Sequence, residues 1–299
     1  MSGALAHRLA GQASRPLARE VTALARQLGE EAGALAVLFY GSNLRTGALD
    51  GVLDFYVLLP GPQTDRIWPR VSYREVSPRP GLTLRAKIAT MALRTFLAAA
   101  QGNTRDTTIW ARFVQPAALC WHRDAAARAE VLAALAAAAR TAARLAVALG
   151  PEEAAEEEYW AGLFRATYSA EFRVEAPGRE RSILEANPAH FAALLPAALE
   201  AEGIACSVTE NGTIRPVLSP ERRQEILRWW RARRRLGKAL NLLRLLKAST
   251  TFDGAARYAA WKIERHTGVP VTLTPWRERH PVLAAPGVLY DLWRKRRGR

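Results

Sequence analysis

Cysteine is almost missing from this sequence: Cys120 and Cys206 stand alone in 299 residues. Two unpaired thiols exclude a disulfide framework and a cysteine zinc site, and they fit a reducing compartment. Histidine is sparse as well, with five residues. His266 and His280 have no ligand-spaced partner, so they read as capping or packing residues. Long apolar runs are missing too. The longest Ala/Leu stretch, Val131 to Gly150, is broken by Arg140 and Arg144, which predicts a helix rather than a membrane span. The opening residues "MSGALAHRLAGQASRPLARE" have no secretory apolar core. Their Ala/Arg/Ser content mimics a mitochondrial presequence, but the same residues abound along the whole chain. No internal repeat is evident.

Nearly half the residues are hydrophobic and 24% are charged, the composition of a globular chain long enough for two or three domains. Positive charge is unevenly spread. From Glu221 to Arg299 there are 20 Lys/Arg against 6 Asp/Glu, which is +14 of the total +15. The first 220 residues are close to neutral. The C-terminal part therefore meets something anionic, or presents a solvated basic face.

Residues 16–33 carry Leu17, Val21, Leu24, Ala25 and Leu28 at helical spacing. "ALAVLFY" and "GVLDFYVLL" read as strands joined by a loop with Gly47, Asp50 and Gly51. "VSYREVS" is a further strand, and "TLRAKIATMALRTFLAAA" passes from strand into helix. "TTIWARFVQPAALCW" reads as strand-like pieces broken at Pro116, and a long helix follows from Asp124 to Leu149. Pro151 marks the start of the next helix, with five glutamates between 152 and 158 suited to its positive end. Asn211-Gly212 between two short runs predicts a hairpin. The expected fold is α/β: a nucleotidyltransferase-like domain with a mixed sheet over 1–145, a helical, winged-helix-like domain over 146–220, and a basic helical segment with an amphipathic tail over 221–299.

The strand Val52–Leu59 holds Asp54 in an otherwise apolar run, beside the Gly41-Ser42 corner that ends the preceding strand. A glycine lets backbone approach a triphosphate, a serine hydroxyl holds phosphate oxygens, and a neighbouring carboxylate holds the magnesium that neutralises them. An exposed strand face would also tolerate the Asp. The usual Asp-x-Asp is absent, since Phe55 and Tyr56 follow Asp54. Asp50 is better placed for the turn beside Gly51 than for replacing the second carboxylate.

These residues resemble the mitochondrial-type phosphatidate cytidylyltransferases, the translocator assembly and maintenance family. The resemblance begins at "FYGS" and "LDFYVLL" and continues through "RAKIATMAL" and "IWARFVQP". It is clearest in "LFRATYSAEFRVE" and "NPAHF", and returns in "KASTTFDGAARYAAWKIERH". In the family's Ser-Tyr-x-Gly-Asp-x-Arg signature this chain has Thr167-Tyr168 and Ala170-Glu171. At the corner Asn43, a residue that tolerates left-handed backbone, replaces a glycine. The resemblance implies a peripheral, magnesium-dependent enzyme that transfers CMP from CTP to phosphatidate or a related lipid phosphate, giving CDP-diacylglycerol for phospholipid synthesis. It implies Gly41, Ser42 and Lys87 at the nucleotide, and Asp54 and Glu171 as catalytic carboxylates and metal ligands. Tyr168, Arg173, Lys247 and Lys262 would lie at the acceptor phosphate; Tyr168 also suits packing, and each lysine also suits a solvated surface.

The tail "GVLYDLWRKRRGR" sets Leu289, Leu292 and Trp293 beside Arg294, Lys295, Arg296 and Arg297, a pattern suited to an anionic membrane surface. A helix docked on the protein's own core is the competing reading. The expected location is cytoplasmic, at the inner face of the membrane. Two other classes stay open. One is a nucleic-acid-directed transferase, in which "RWWRARRRL" stacks on bases, although nucleic acid is the less favoured partner. The other is a non-catalytic nucleotide or lipid binder that keeps the fold.

Overall fold

The computed structural model describes residues 3–170, 179–251, 254–267, 270–279, 284 and 287. Its five-stranded sheet contains β1 (Ala36–Tyr40), β2 (Val52–Leu59), β3 (Arg70–Arg79), β4 (Leu82–Ala92) and β5 (Ala117–His122), in the order β3-β4-β2-β1-β5. The β2–β4 pair is parallel and the other three pairs are antiparallel, so the sheet is mixed.

Side chains alternate across a strand, so each strand feeds two different layers. On one face Leu53, Phe55 and Val57 meet Leu84, Ala86 and Ile88. This face is covered by α2 (Arg19–Glu31), whose Val21, Leu24, Ala25 and Leu28 form the predicted apolar stripe. On the other face Leu38, Tyr56, Leu58, Ala89 and Met91 join a larger core. That core includes α1 (Gly3–Ala13), α4 (Leu93–Ala100), α5 (Thr108–Phe113) and α6 (Ala125–Leu149). A short helix, α3 (Ser42–Thr46), lies within the β1–β2 connection.

Helix α6 is the hub of the helical half. Asp124 caps it, its Oδ1 accepting from the Ala127 amide at 2.7 Å. Its length and composition would suit a membrane span, but 78% of its apolar window is buried inside the protein. The arginines that interrupt it have a structural use. Arg140 and Arg144 both pair with the buried carboxylate of Glu202, at 2.9 and 3.1 Å. Glu202 ends α10 (Leu194–Glu202), which follows α7 (Glu156–Ala170), α8 (Arg179–Glu185) and α9 (Pro188–Phe191). The predicted hairpin is present as β6 (Cys206–Val208) and β7 (Ile214–Pro216), with Gly212 at positive φ in its turn. The long basic helix α11 (Pro220–Thr251), then α12 (Ala255–Thr267) and α13 (Pro275–Arg279), complete the described chain.

Three local expectations are corrected. Thr108–Phe113 is helical rather than strand-like. The Asp106 carboxylate accepts from the Thr108 amide and hydroxyl, and this starts a turn that buries Ile109, Trp110 and Phe113 together. Pro151 does not start α7, which begins at Glu156. The Glu156 carboxylate instead accepts from the amides of Ala193 and Leu195 and from the Trp160 indole, so that acid is structural. Residues 3–13 form a helix that the sequence analysis leaves unassigned; Leu5, Leu9 and Ala13, four apart, are its buried stripe.

Candidate active site

The strand register explains the odd acid. Tyr40 lies opposite Asp54, and Asp54 lies beside Lys87 on β4, so all three belong to the face that also carries Tyr56 and Leu58. Gly41 follows directly, with φ at +90°. A Cβ there would stand 3.0 Å from Asp54 Oδ2, so any side chain would crowd the carboxylate. Glycine is required twice here, for the backbone angle and for the space.

The corner is tied down locally. Ser42 is exposed, and its hydroxyl donates to Asn43 Oδ1 at 3.2 Å, while Asn43 Nδ2 donates to the Ala48 carbonyl at 2.8 Å. Asn43 is buried in the first turn of α3 and is not left-handed; its amide, rather than its backbone, suits it to the position. With five residues, α3 contributes little helix dipole to this corner.

Burial pushes the Asp54 carboxyl above the ordinary carboxylate value, and the positive charges of Lys87 and then Arg112 oppose the shift. Arg112 comes from α5. Its guanidinium donates to the Tyr56 hydroxyl at 3.3 Å and lies 5.4 Å from the centre of the Tyr40 ring. One carboxylate between two cations, beside a glycine corner, is a site organised around charge.

A roof crosses one side of this site. Gly254, at φ +79°, lets the chain enter α12 against β3; a Cβ there would stand 2.5 Å from the Tyr73 carbonyl oxygen. Tyr258 then packs on Tyr73, with ring centres 5.4 Å apart. The Tyr258 phenol is pushed up first by burial and then by the charge of Asp54, which places it within electrostatic reach of that carboxylate. Trp261 contacts both Arg85 and Arg265, at 5.4 and 5.3 Å from the ring centre. Arg265 also donates to the Asp50 carbonyl at 3.0 Å, joining α12 to the β1–β2 connection. Asp50 is exposed and meets Arg265 at the turn.

The fit to a magnesium ion is partial. Gly41 keeps space beside Asp54 Oδ2 and Asp54 would be one oxygen ligand, but among the described residues no cluster of three acidic or histidine ligands exists. Comparison with protein-family models and with curated proteins gives no match for this chain.

The other expected site residues divide into three groups. Lys262 lies on the roof, its Nζ 6.0 Å from the Tyr258 ring centre. Tyr168 is on α7, stacked on Phe164 with centres 6.3 Å apart, which favours its packing role. Lys247 belongs to α11; its side chain, like Glu171, Arg173 and the tail residues Leu289, Leu292, Trp293, Arg294, Lys295, Arg296 and Arg297, lies outside the described residues, as does His280. The tryptophans of "RWWRARRRL" are engaged inward. Trp230 is buried against Trp110, and Trp229 is sandwiched by Arg144 and Arg233 while donating to the Gly102 carbonyl.

Arg112 and Tyr258 are the site residues that the sequence analysis passes over. Reading Thr108–Phe113 as a strand hides the first. Tyr258 has a weak signal: it lies four residues before Lys262 on one helical face.

Proposed function

We propose that this protein is a magnesium-dependent nucleotidyltransferase acting on a lipid phosphate, with CTP as the nucleotide and phosphatidate, or a close relative, as the acceptor. One observation carries the reading: Gly41 leaves a gap beside Asp54 Oδ2, on a sheet face where Lys87 and Arg112 supply positive charge. The finer fold assignment belongs to the same proposal. The sheet with its β1–β2 corner is taken as a nucleotidyltransferase domain, and the helices that lead into the β6–β7 hairpin as a winged-helix-like unit.

In the reaction an acceptor phosphate oxygen attacks the α-phosphorus of CTP, a new P–O bond forms, and the bond to the β-phosphate oxygen breaks to release pyrophosphate. The acceptor is already an anion at neutral pH, so positioning and charge neutralisation carry the rate rather than proton removal. Gly41 and Ser42 would hold triphosphate oxygens, Lys87 and Arg112 would neutralise them, and Lys262 on the roof would meet a phosphate from above. Magnesium, held by Asp54 and completed by Glu171, would supply further charge neutralisation. The basic tail would bring the enzyme to the inner, anionic face of the membrane.

The test is pyrophosphate release from CTP and magnesium over phosphatidate-containing vesicles, comparing wild type with Asp54→Ala. Phosphatidate-dependent turnover that falls by about 10³-fold in the variant is expected, as for loss of several kcal/mol of charge stabilisation. Unchanged turnover in the variant would sink the proposal. A second reading rests on Asp54 being a lone carboxylate beside two cations among the described residues: a binder that has kept the nucleotide corner without catalysis. Binding of CTP without turnover on any acceptor would favour it.

A further inference from the structure

Arg45, one turn after the Gly41-Ser42 corner, lines a cavity of about 290 Å³ on the way from the sheet to the helical half. That volume is near the lower end for ligand pockets, about 300 Å³. Arg15, Gln12, Asn187, His190 and Pro116 also line it, and no carboxylate does among the described residues. The charge here is not borrowed from the basic C-terminal part, because the first 220 residues are close to neutral.

Each wall has a reason to be fixed. Arg8 on α1 donates to the carbonyls of Ala189, His190 and Ala192, which locks α1 onto α9. Asn187 Nδ2 donates to the Ile183 carbonyl at 2.7 Å. His190 Nε2 meets the Val114 carbonyl at 2.8 Å, which makes Nε2–H the donor. Burial, with Arg15 and Arg8 nearby, lowers the His190 pKa to about 4. The lining is not saturated: among the described residues Gln12 Oε1 and His190 Nδ1 are buried without a hydrogen-bond partner, and Arg15 lacks a paired acid. Arg15 Nε donates to the Gln12 carbonyl at 3.0 Å. Burial already holds its guanidinium below the ordinary arginine value. A partly buried cation without a counter-ion is costly, and an anion in the cavity relieves that cost.

We propose that this cavity is a second anion site, separate from the Asp54 corner, which takes a phosphate monoester through Arg15 and Arg45. The guanidinium fork favours a doubly charged, three-oxygen terminal phosphate over a singly charged diester. Arg45 shares α3 with Ser42, so an occupant here stiffens the corner that ends β1. The proposal stands without the nucleotidyl-transfer reading, because it uses none of Asp54, Lys87 or Arg112.

The experiment is calorimetric titration of the full chain at low salt, with inorganic phosphate, glycerol 3-phosphate and a short-chain, water-soluble phosphatidate as separate probes. Millimolar or tighter binding of at least one monoester probe, weakened about tenfold or more by Arg15→Ala and only partly restored by Arg15→Lys, which keeps the charge but not the fork, is expected. Binding of the lipid probe alone identifies a lipid headgroup as the source, and binding of glycerol 3-phosphate identifies a soluble phosphate. Asp54→Asn should bind inorganic phosphate and glycerol 3-phosphate, which are not the acceptor of the catalytic reading, as the wild type does even if it is inactive, so failure of this site and failure of that reading are told apart. Should Arg15→Ala not fold, the wild type still decides: the His190 ring resonances move on saturation with the probe, since a nearby anion acts on that imidazole. No binding of any probe by the wild type, equal binding by a folded Arg15→Ala chain, or unmoved His190 signals overturns the proposal.

Discussion

The two faces of one sheet are built from alternate residues of the same strands, yet they do different work. Toward α2, β2 sends Leu53, Phe55 and Val57, and β4 sends Leu84, Ala86 and Ile88, all buried and apolar. Toward the larger helical layer, the same strands send Tyr56, Leu58, Ala89 and Met91, but also Asp54 and Lys87 near one end. The α2 face is apolar where β2 and β4 lie under the helix, and the titratable Cys120 packed against it is silent: burial pushes its thiol up to about 12, so it stays protonated. The other face is packed in its middle by Tyr40, Tyr56, Phe96 and Phe113, and it carries the charged Asp54 and Lys87 beside that aromatic cluster. A period of two lets one strand supply a scaffold and a site at once.

That division can be broken most sharply at neighbouring residues. Asp54→Asn keeps shape and removes charge, so CTP turnover should fall by about 10³-fold with the fold intact. Its stability should hold or rise. The folded carboxyl has a raised pKa, so ionising it above the ordinary carboxylate range costs the folded state, and the amide removes that cost at neutral pH. Any gain reads out as a higher melting temperature. A large loss of stability would mean that Asp54 is a structural partner of Lys87 and Arg112. Phe55→Ala, one residue on, should do the reverse. Phe55 is fully buried against Phe39 at 5.2 Å, so its loss should cost about 3–5 kcal/mol, with specific activity per folded molecule unchanged.

The helical half has its own buried charge, and it allows a control. Glu202, almost buried, receives Arg140 and Arg144. Glu202→Gln should destabilise the chain by about 3 kcal/mol in urea melts, because two partly buried cations lose their acceptor charge. Activity per folded molecule should not change. A parallel fall in that activity would tie α6 and α10 to the site and erase the distinction between scaffold and chemistry.

Sequence pattern revealed the scaffold better than the site, for a physical reason. The α2 stripe, the strand pair around Gly41, the strand-to-helix passage at Ala92 and the hairpin at Gly212 are local, and each rests on residues within a few positions of one another. Gly41 and Asp54 were legible as a pair because one short connection joins their strands. Arg112 was not: its helix has strand-like composition and follows a turn in which the Asp106 carboxylate accepts from the Thr108 amide and hydroxyl, an effect that propensity does not register. Tyr258 reaches Asp54 only through the packing of α12 on β3, about 200 residues away in sequence. The basic Trp229-Trp230 segment looked like a nucleic-acid surface because composition carries no direction; Trp110 and Gly102 draw both rings inward.

Acid should separate the two faces further. His190, on the helical side, is neutral with a pKa near 4 in the folded chain, against an ordinary value of 6.5. A depressed histidine must be forced to ionise in the fold, so stability falls as pH drops from 6.5 and the loss is complete below 4. The shift corresponds to about 3 kcal/mol at most. His190→Gln should flatten the pH dependence of urea melts over that window, whereas Cys120→Ala, on the α2 face, should leave its slope unchanged.

The smallest expected effect concerns the roof. Trp261 contacts both Arg85 from β4 and Arg265 from its own helix, and Arg265 holds the Asp50 connection. Exposed cation–π contacts are worth about 0.5–1 kcal/mol each, so Trp261→Ala should loosen α12 without unfolding the sheet. Amides of Ala255–Thr267 should exchange several-fold faster with solvent, while those of Val52–Leu59 keep their protection. If the Asp54 region lies beneath a separately opening roof, exchange accelerates in the helix alone. Equal acceleration in β2 would show instead that α12 and the sheet open as one unit, and that access to the carboxylate is not governed by this helix.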